Sequence, residues 1–176
     1  MSEMEKQKAS VRAAMPLSIG AGTVVVDNQR VLLVRNRYGV TKGRYLLPAG
    51  RLKLGELPDQ AAERETLEET GLQVKVTGLL GVRIWIMDNG EHNYFFMFQA
   101  KLLSSVEQLL PDLTEVDDAR FFSRAELAAL PAEDTWAGAV AIAYKALDGQ
   151  AGVWPNDAGL ANNSGVDTSE RWRIWM

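Results

Sequence analysis

The charged residues best spaced to do chemistry together in this chain are Glu56, Arg64, Glu65, Glu68 and Glu69. The last four fall in a stretch that reads as a helix over residues 58–70. Leu57-Pro58 supplies the N-cap and first turn, where proline is at home, and Gly71 supplies the stop. A helix advances about 100° per residue, so with Glu65 at zero, Glu68 lies near about −60° and Glu69 near about +40°. Ala61 and Ala62 fall at roughly −40° and +60° in the same frame. Three carboxylates therefore share a stripe with two small residues, a stripe that can face protein or a cleft. Asp59, Gln60 and Glu63 point elsewhere. Carboxylates gathered in this way repel one another unless a cation joins them, and hard oxygen donors suit Mg²⁺ or Mn²⁺. The other reading is a solvated acidic face steadied by Arg64 pairing with Glu68 at i, i+4.

The spacing decides between these readings. The stretch resembles the signature of the Nudix hydrolases, G-x5-E-x7-R-E-U-x-E-E-x-G-U with U a bulky aliphatic. Gly50, Glu56, Arg64, Glu65, Glu68, Glu69, Gly71 and Leu72 match it. Thr66 stands at the first aliphatic position, and its β-branched side chain, close to valine in volume, is expected to pack there. Pro48-Ala49-Gly50 replaces the usual P-G-G, and Lys53 stands where relatives often carry an acid.

The resemblance implies an α/β fold, an α/β/α sandwich with a mixed sheet. It implies hydrolysis of a nucleoside diphosphate linked to another moiety. It makes Glu65, Glu68 and Glu69 ligands of Mg²⁺ (or Mn²⁺), with Glu56 assisting from the loop. Arg64 would hold the carboxylates in place rather than touch substrate, through charge-assisted bonds. Gly50 and Gly71 would be backbone residues. Glu68 and Glu69 are candidate bases, but a metal-bound carboxylate is a poor one. Relatives often recruit a loop acid ahead of an E-x-x-E-x-x-W-F strand. Here that stretch is Glu115-Val-Asp-Asp118-Ala-Arg-Phe121-Phe122, which makes Glu115 the candidate base; an exposed acidic turn is the alternative.

The rest of the composition fits one domain. The chain is 47% hydrophobic with net charge -4, enough for a proper core. With no cysteine, disulfides, thiolate zinc sites and a cysteine nucleophile are excluded. No apolar run approaches the roughly 18 residues of a membrane span. Residues 1–14 show no apolar core of a signal peptide, so the cytoplasm is the expected compartment. A mildly acidic chain is a poor general nucleic-acid binder, so the expected partner is a small nucleotide substrate.

Elements follow from apolar patterning. Ile19–Val26 and Arg30–Arg35 read as strands turned by Asp27-Asn28, and Tyr45–Pro48 as a short third strand. An extended stretch begins at Val74–Val76. Val82–Met87 and Tyr94–Ala100 form a hairpin across Asp88-Asn89-Gly90. Residues 104–115 read as a loop and Ala119–Phe122 as a strand. Ser123 with Glu126 forms a capping box, and Thr135–Leu147 the last helix. The domain thus spans residues 15–148, after an N-terminal segment 1–14.

The tail, 149–176, carries Trp154, Trp172 and Trp175. These are expected to pack on the domain or on a second copy of the chain, a homodimer. Arg35, Arg37, Arg44 and Arg51 could grip phosphate or be solvated. Trp85, Tyr94, Phe96 and Phe98 could stack on a base or fill the sheet core. His92 reads as a solvated turn residue. The substrate is not legible. A regulatory module that keeps the fold and senses a nucleotide metabolite is the other functional class, which a degenerate signature would favour and the intact one does not.

Overall fold

The computed structural model describes residues 15–149 and the backbone of residues 172–175. The strands are β1 (Leu17–Asp27), β2 (Arg30–Asn36), β3 (Tyr45–Leu46), β4 (Ala49–Arg51), β5 (Val74–Ile86), β6 (His92–Leu102), β7 (Val116–Ser123) and β8 (Trp172–Trp175). The helices are α1 (Pro58–Thr70), α2 (Arg124–Ala129) and α3 (Ala137–Leu147). The sheet runs β3-β2-β1-β6-β5-β8, with β4 also paired to β1 and β7 to β2. Only the β1–β6 pairing is parallel among the named strands; the others are antiparallel, so the sheet is mixed.

Alternation along the strands builds two cores. On one face Ala21 and Phe96 meet Ala61 and Ala62 of α1, all three alanines fully buried. On the other, Val24, Leu33, Met97 and Phe122 meet Leu127 of α2 and Trp136, Ala139 and Ile142 around α3. The result is the α/β/α sandwich. Among the described residues, no helix is long and apolar enough to cross a membrane.

The observed elements refine the sequence reading in four places. A strand at Ala49–Arg51, β4, lies directly on Gly20–Gly22 of β1; it is too short and too poor in β-branched residues to signal itself. β5 is one 13-residue strand. Its pairing with β6 absorbs Thr77 and Leu80 as bulges between Val76/Gly78 and Leu79/Gly81, each followed by a paired glycine, so the strand bends there instead of ending. α3 begins at Ala137, because Thr135 bridges to Tyr45 in an extended conformation. Within the tail, the Trp172–Trp175 backbone adds an antiparallel edge strand to β5. The packing of the tail tryptophans and the segment 1–14 lie outside the described residues.

α1 begins and ends as its caps dictate. Leucine has no acceptor, so the N-terminal bond is one-sided: the Gln60 Oε1 accepts from the Leu57 N–H at 3.0 Å. At the other end Gly71 adopts φ 71° and its N–H reaches the Leu67 carbonyl at 2.9 Å. A Cβ at Gly71 would stand 3.2 Å from the Leu110 carbonyl oxygen as well as carry the left-handed penalty. Gly71→Ala is therefore expected to lower the unfolding free energy by about 1–2 kcal/mol. This would be read as a lower urea midpoint at unchanged slope; an unchanged midpoint would contradict it.

Candidate active site

The carboxylates of α1 are organised by Arg64. Its Nε and Nη2 donate to the two oxygens of Glu56 at 2.6 and 2.8 Å. Its Nη1 donates to Glu65 at 2.6 Å and to Glu68 at 2.8 Å, and Nη2 also reaches the Arg51 carbonyl at 3.1 Å. One guanidinium thus ties the loop acid, two helix acids and the end of β4. The pairing with Arg64, joined by the Lys53 backbone N–H, holds the Glu56 carboxyl down at about 2. The Arg64 guanidinium is itself raised above its ordinary value, chiefly by Glu56. For Glu68, burial pushes the carboxyl up, but Lys53 at 3.1 Å and Arg64 outweigh it and the net direction is down.

Glu65 and Glu69 lie deeper. Burial raises the Glu65 carboxyl despite Arg64. Its carboxylate lies over Gly50, where an added Cβ would fall 2.2 Å from it. Glu69 is 8% exposed and accepts the Ala49 N–H at 2.9 Å. Burial pushes its carboxyl up to about 8, with Glu65, Glu115 and Glu68 adding to the rise. β4 is the shared floor of both groups, holding Glu65 through the absence of a side chain and Glu69 through an N–H.

Thr66 fits differently from an aliphatic residue. It is fully buried, donates to the Ala62 carbonyl at 2.8 Å and sits 2.6 Å from the Thr23 hydroxyl. The hydroxyl that departs from the signature is matched by a partner on β1.

Glu115 sits in the turn before β7 and accepts a bond from the Tyr38 hydroxyl, whose pKa rises to about 12 chiefly through that bond. The turn is docked on the end of α1: Leu110 N–H donates to Thr70 at 2.9 Å and Asp112 N–H to Glu69 at 3.2 Å, both to backbone carbonyls. Glu115 is therefore brought near Glu69. The four arginines do not converge. Arg37 bonds the Leu113 carbonyl and pairs with Asp117 at 3.7 Å. Arg44 lies 6.0 Å from the Trp136 ring centre. Arg35 lies on β2 between Tyr45 and Asp118, its Nε buried. Arg51 alone of the four lines the neighbouring cavity, and pairs with Glu91 at 3.6 Å. Of the aromatics, Phe96 and Phe98 stack on the α1 face, and Trp85 faces the cavity. Sequence reasoning missed Arg83, Phe95 and Trp136 beside it. The available signal was Arg83 itself, a charge inside the apolar run Val82–Met87.

Donor chemistry fits a hard divalent cation: several carboxylates gathered at one face, with a buried Glu69 that a cation would neutralise. Among the described residues no three acids already converge on one point. Glu56, Glu65 and Glu68 are turned onto Arg64, so binding a cation requires side-chain rotation.

Two consequences are measurable. In chelator-treated protein, the folded Glu69 keeps its proton up to about pH 8, whereas the unfolded chain loses it near 4.5. Between these values the native state binds more protons, so this group's contribution to stability falls as pH rises and levels off above about 8. The melting temperature of Glu69→Gln minus that of the native chain should thus widen from pH 5.5 to pH 8.5. A gap independent of pH would refute the burial argument. Gly50→Ala should fold nearly as stably, because the clash falls on the mobile end of Glu65. Displacing that carboxylate should lower kcat/KM by about 10²-fold, and full activity would show that Glu65 need not lie over β4.

A family model described as NUDIX domain matches residues 16–143. An ADP-ribose pyrophosphatase of Methanocaldococcus jannaschii is 35% identical over 65 residues, 37% of this chain and 38% of that protein. The NAD-capped RNA hydrolase NudC of Pseudomonas aeruginosa is 32% identical over 110 residues, 62% of this chain and 37% of that protein. The matches therefore span less than two fifths of the length of these curated relatives. A crystal structure of a NUDIX hydrolase from Nitrosomonas europaea superposes with TM-score 0.63 at 24% identity, covering 77% of this chain and 72% of that one. A UDP-X diphosphatase does so with TM-score 0.60 at 23% identity, covering 86% and 74%. These two likenesses show the fold, and the family match covers most of the chain. The chain belongs to the Nudix hydrolases.

Proposed function

We propose that the chain hydrolyses a phosphoanhydride bond in a nucleoside diphosphate linked to another moiety, using Mg²⁺ or Mn²⁺ held by Glu65, Glu68 and Glu69 with Glu56 assisting. The observation that carries this reading is Glu69, a carboxyl buried among other acids and oriented by the Ala49 N–H. A carboxylate so placed is costly unless a cation shares the site. The relatives named as an ADP-ribose pyrophosphatase and an NAD-capped RNA hydrolase support a diphosphate linkage as the target.

When bound, the cation would screen the phosphate oxygens and acidify water. The chain's own residues do the rest. Arg64 restrains Glu65 and Glu68 until they are needed and keeps Glu56 at the loop. Gly50 leaves room for Glu65, and Ala49 fixes Glu69. Glu115 accepts the proton of the attacking water, and the Tyr38 hydroxyl, held protonated, aims it.

Nucleotide sugars, dinucleotides and nucleoside triphosphates, assayed for phosphate products, test the reading. Activity should vanish with chelator and return with Mg²⁺ or Mn²⁺; undiminished turnover after chelation would overturn the metal reading. Glu115→Gln should lower kcat by at least about tenfold with KM little changed, given that losing a general base typically costs about 10²–10⁴. Native turnover in that variant would return the base to α1. Glu68→Gln should instead raise the metal concentration needed for activity.

A further inference from the structure

On the α3 face of the sheet lies a cavity of about 230 Å³. Trp85, Phe95 and Trp136 supply aromatic wall, and Ala49 and Arg51 of β4 form one side. The same Ala49 binds Glu69 through its N–H. Cavity and carboxylates are thus neighbours across one short strand.

Arg83 is the unusual residue of this cavity. It pairs in register with Phe95, and its guanidinium carbon lies 5.0 Å from the Phe95 ring centre and 5.9 Å from that of Trp85. It donates to the Asn93 Oδ1, and the Asn93 amide donates on to Ser18 at 2.9 Å. Burial pulls its pKa down to about 10, with no carboxylate among the described residues offsetting it. Its Nε is buried without a hydrogen-bond partner among the described residues. Core packing accounts for the aromatic contacts but not for a cation enclosed without a counterion among the described residues, which is costly unless a ligand brings acceptors.

Building on the hydrolase reading, we infer that this cavity takes the nucleobase of the substrate and that Arg83 selects a base with two acceptors on its edge, guanine over adenine. Three observations lead there. The volume is below the roughly 300–1,000 Å³ of sites for drug-sized ligands, so it suits one ring system rather than a whole nucleotide. The aromatic walls suit a planar ring. The aromatic end of the cavity is donor-rich: guanidinium is donor-only, the Asn93 oxygen already accepts from Arg83, and the other polar pair of the lining, Asn36 and Thr41, is bonded to each other. Guanine presents the O6 and N7 acceptors, whereas adenine puts an N6 donor beside N7.

The full chain in chelator, titrated with GMP and with AMP, tests this by tryptophan fluorescence and calorimetry, with Trp85 and Trp136 as reporters. GMP should bind at least about tenfold more tightly, the scale of one good bidentate contact. Arg83→Met should shrink that preference to about twofold or less. Arg83→Lys, which keeps the charge but loses the fork, should shrink it too and serves if the methionine variant does not fold. Gly138→Val fills the cavity from α3, where an added Cβ meets only Trp136 at 3.5 Å, and should weaken both nucleotides. Equal native affinities, no binding of either nucleotide, a preference that survives loss of the arginine, or affinities unmoved by Gly138→Val would each overturn the inference. Neither metal nor turnover enters the measurement. A failure here leaves the hydrolysis reading standing, and a chain inert toward every anhydride would still show or lack the base preference.

Discussion

Arg64 is the constraint on which the site depends. Four carboxylates from one loop and one helix would repel one another and splay into solvent. A single guanidinium, enclosed to 18% side-chain exposure, takes three of them at 2.6–2.8 Å and binds the β4 backbone besides. Contacts of this kind at the surface are worth little. Here the pairs are half-buried, mutually supporting and anchored to the main chain, so they set geometry as well as energy. The fourth acid, Glu69, is outside the guanidinium's reach and, among the described residues, is held by the Ala49 N–H. The site is thus split into three acids restrained by one guanidinium and one buried acid beyond it.

The fold serves that split. β1 runs through the centre of the sheet, carries β4 on its flank and pairs with β6 in parallel. β4 then separates two environments: acids toward α1, aromatics toward α3. A residue on β4 reaches both, Ala49 by its N–H on one side and its place in the cavity wall on the other. The chemistry and the aromatic cavity are coupled through three residues of backbone.

The legible part of this arrangement was the part with a period or a spacing. Helix limits at Pro58 and Gly71, the alanine stripe and the Ser123 capping box are local signals, and the structure has them where the patterning puts them. The contacts of Arg64 follow from one-turn spacing for Glu68 but not for Glu56, which arrives through a loop. β4 was illegible because its pairing is dictated by β1, not by its own residues. The cavity was illegible because its walls come from β5, β6 and α3, and no short window contains Arg83, Phe95 and Trp136 together. Of the four arginines that could grip phosphate or be solvated, Arg37, Arg44 and Arg51 each lie against a different neighbour, which no spacing in the sequence records.

Thr23 and Thr66 share one buried hydrogen-bond relay, and its direction matters. Thr66 has one hydroxyl proton, given to the Ala62 carbonyl, so Thr23 donates to Thr66. Losing the Thr23 hydroxyl first leaves Thr66 still bonded to its own helix. Losing the Thr66 hydroxyl first strands a buried donor on β1, at a cost of about 1–3 kcal/mol. Replacing both by valine is close to neutral in principle. The two orders of substitution are therefore not equivalent. A lineage can drift from this hydroxyl pair to an aliphatic pair by way of the strand but meets a barrier by way of the helix. The order of change at these two positions is thus set by a single proton.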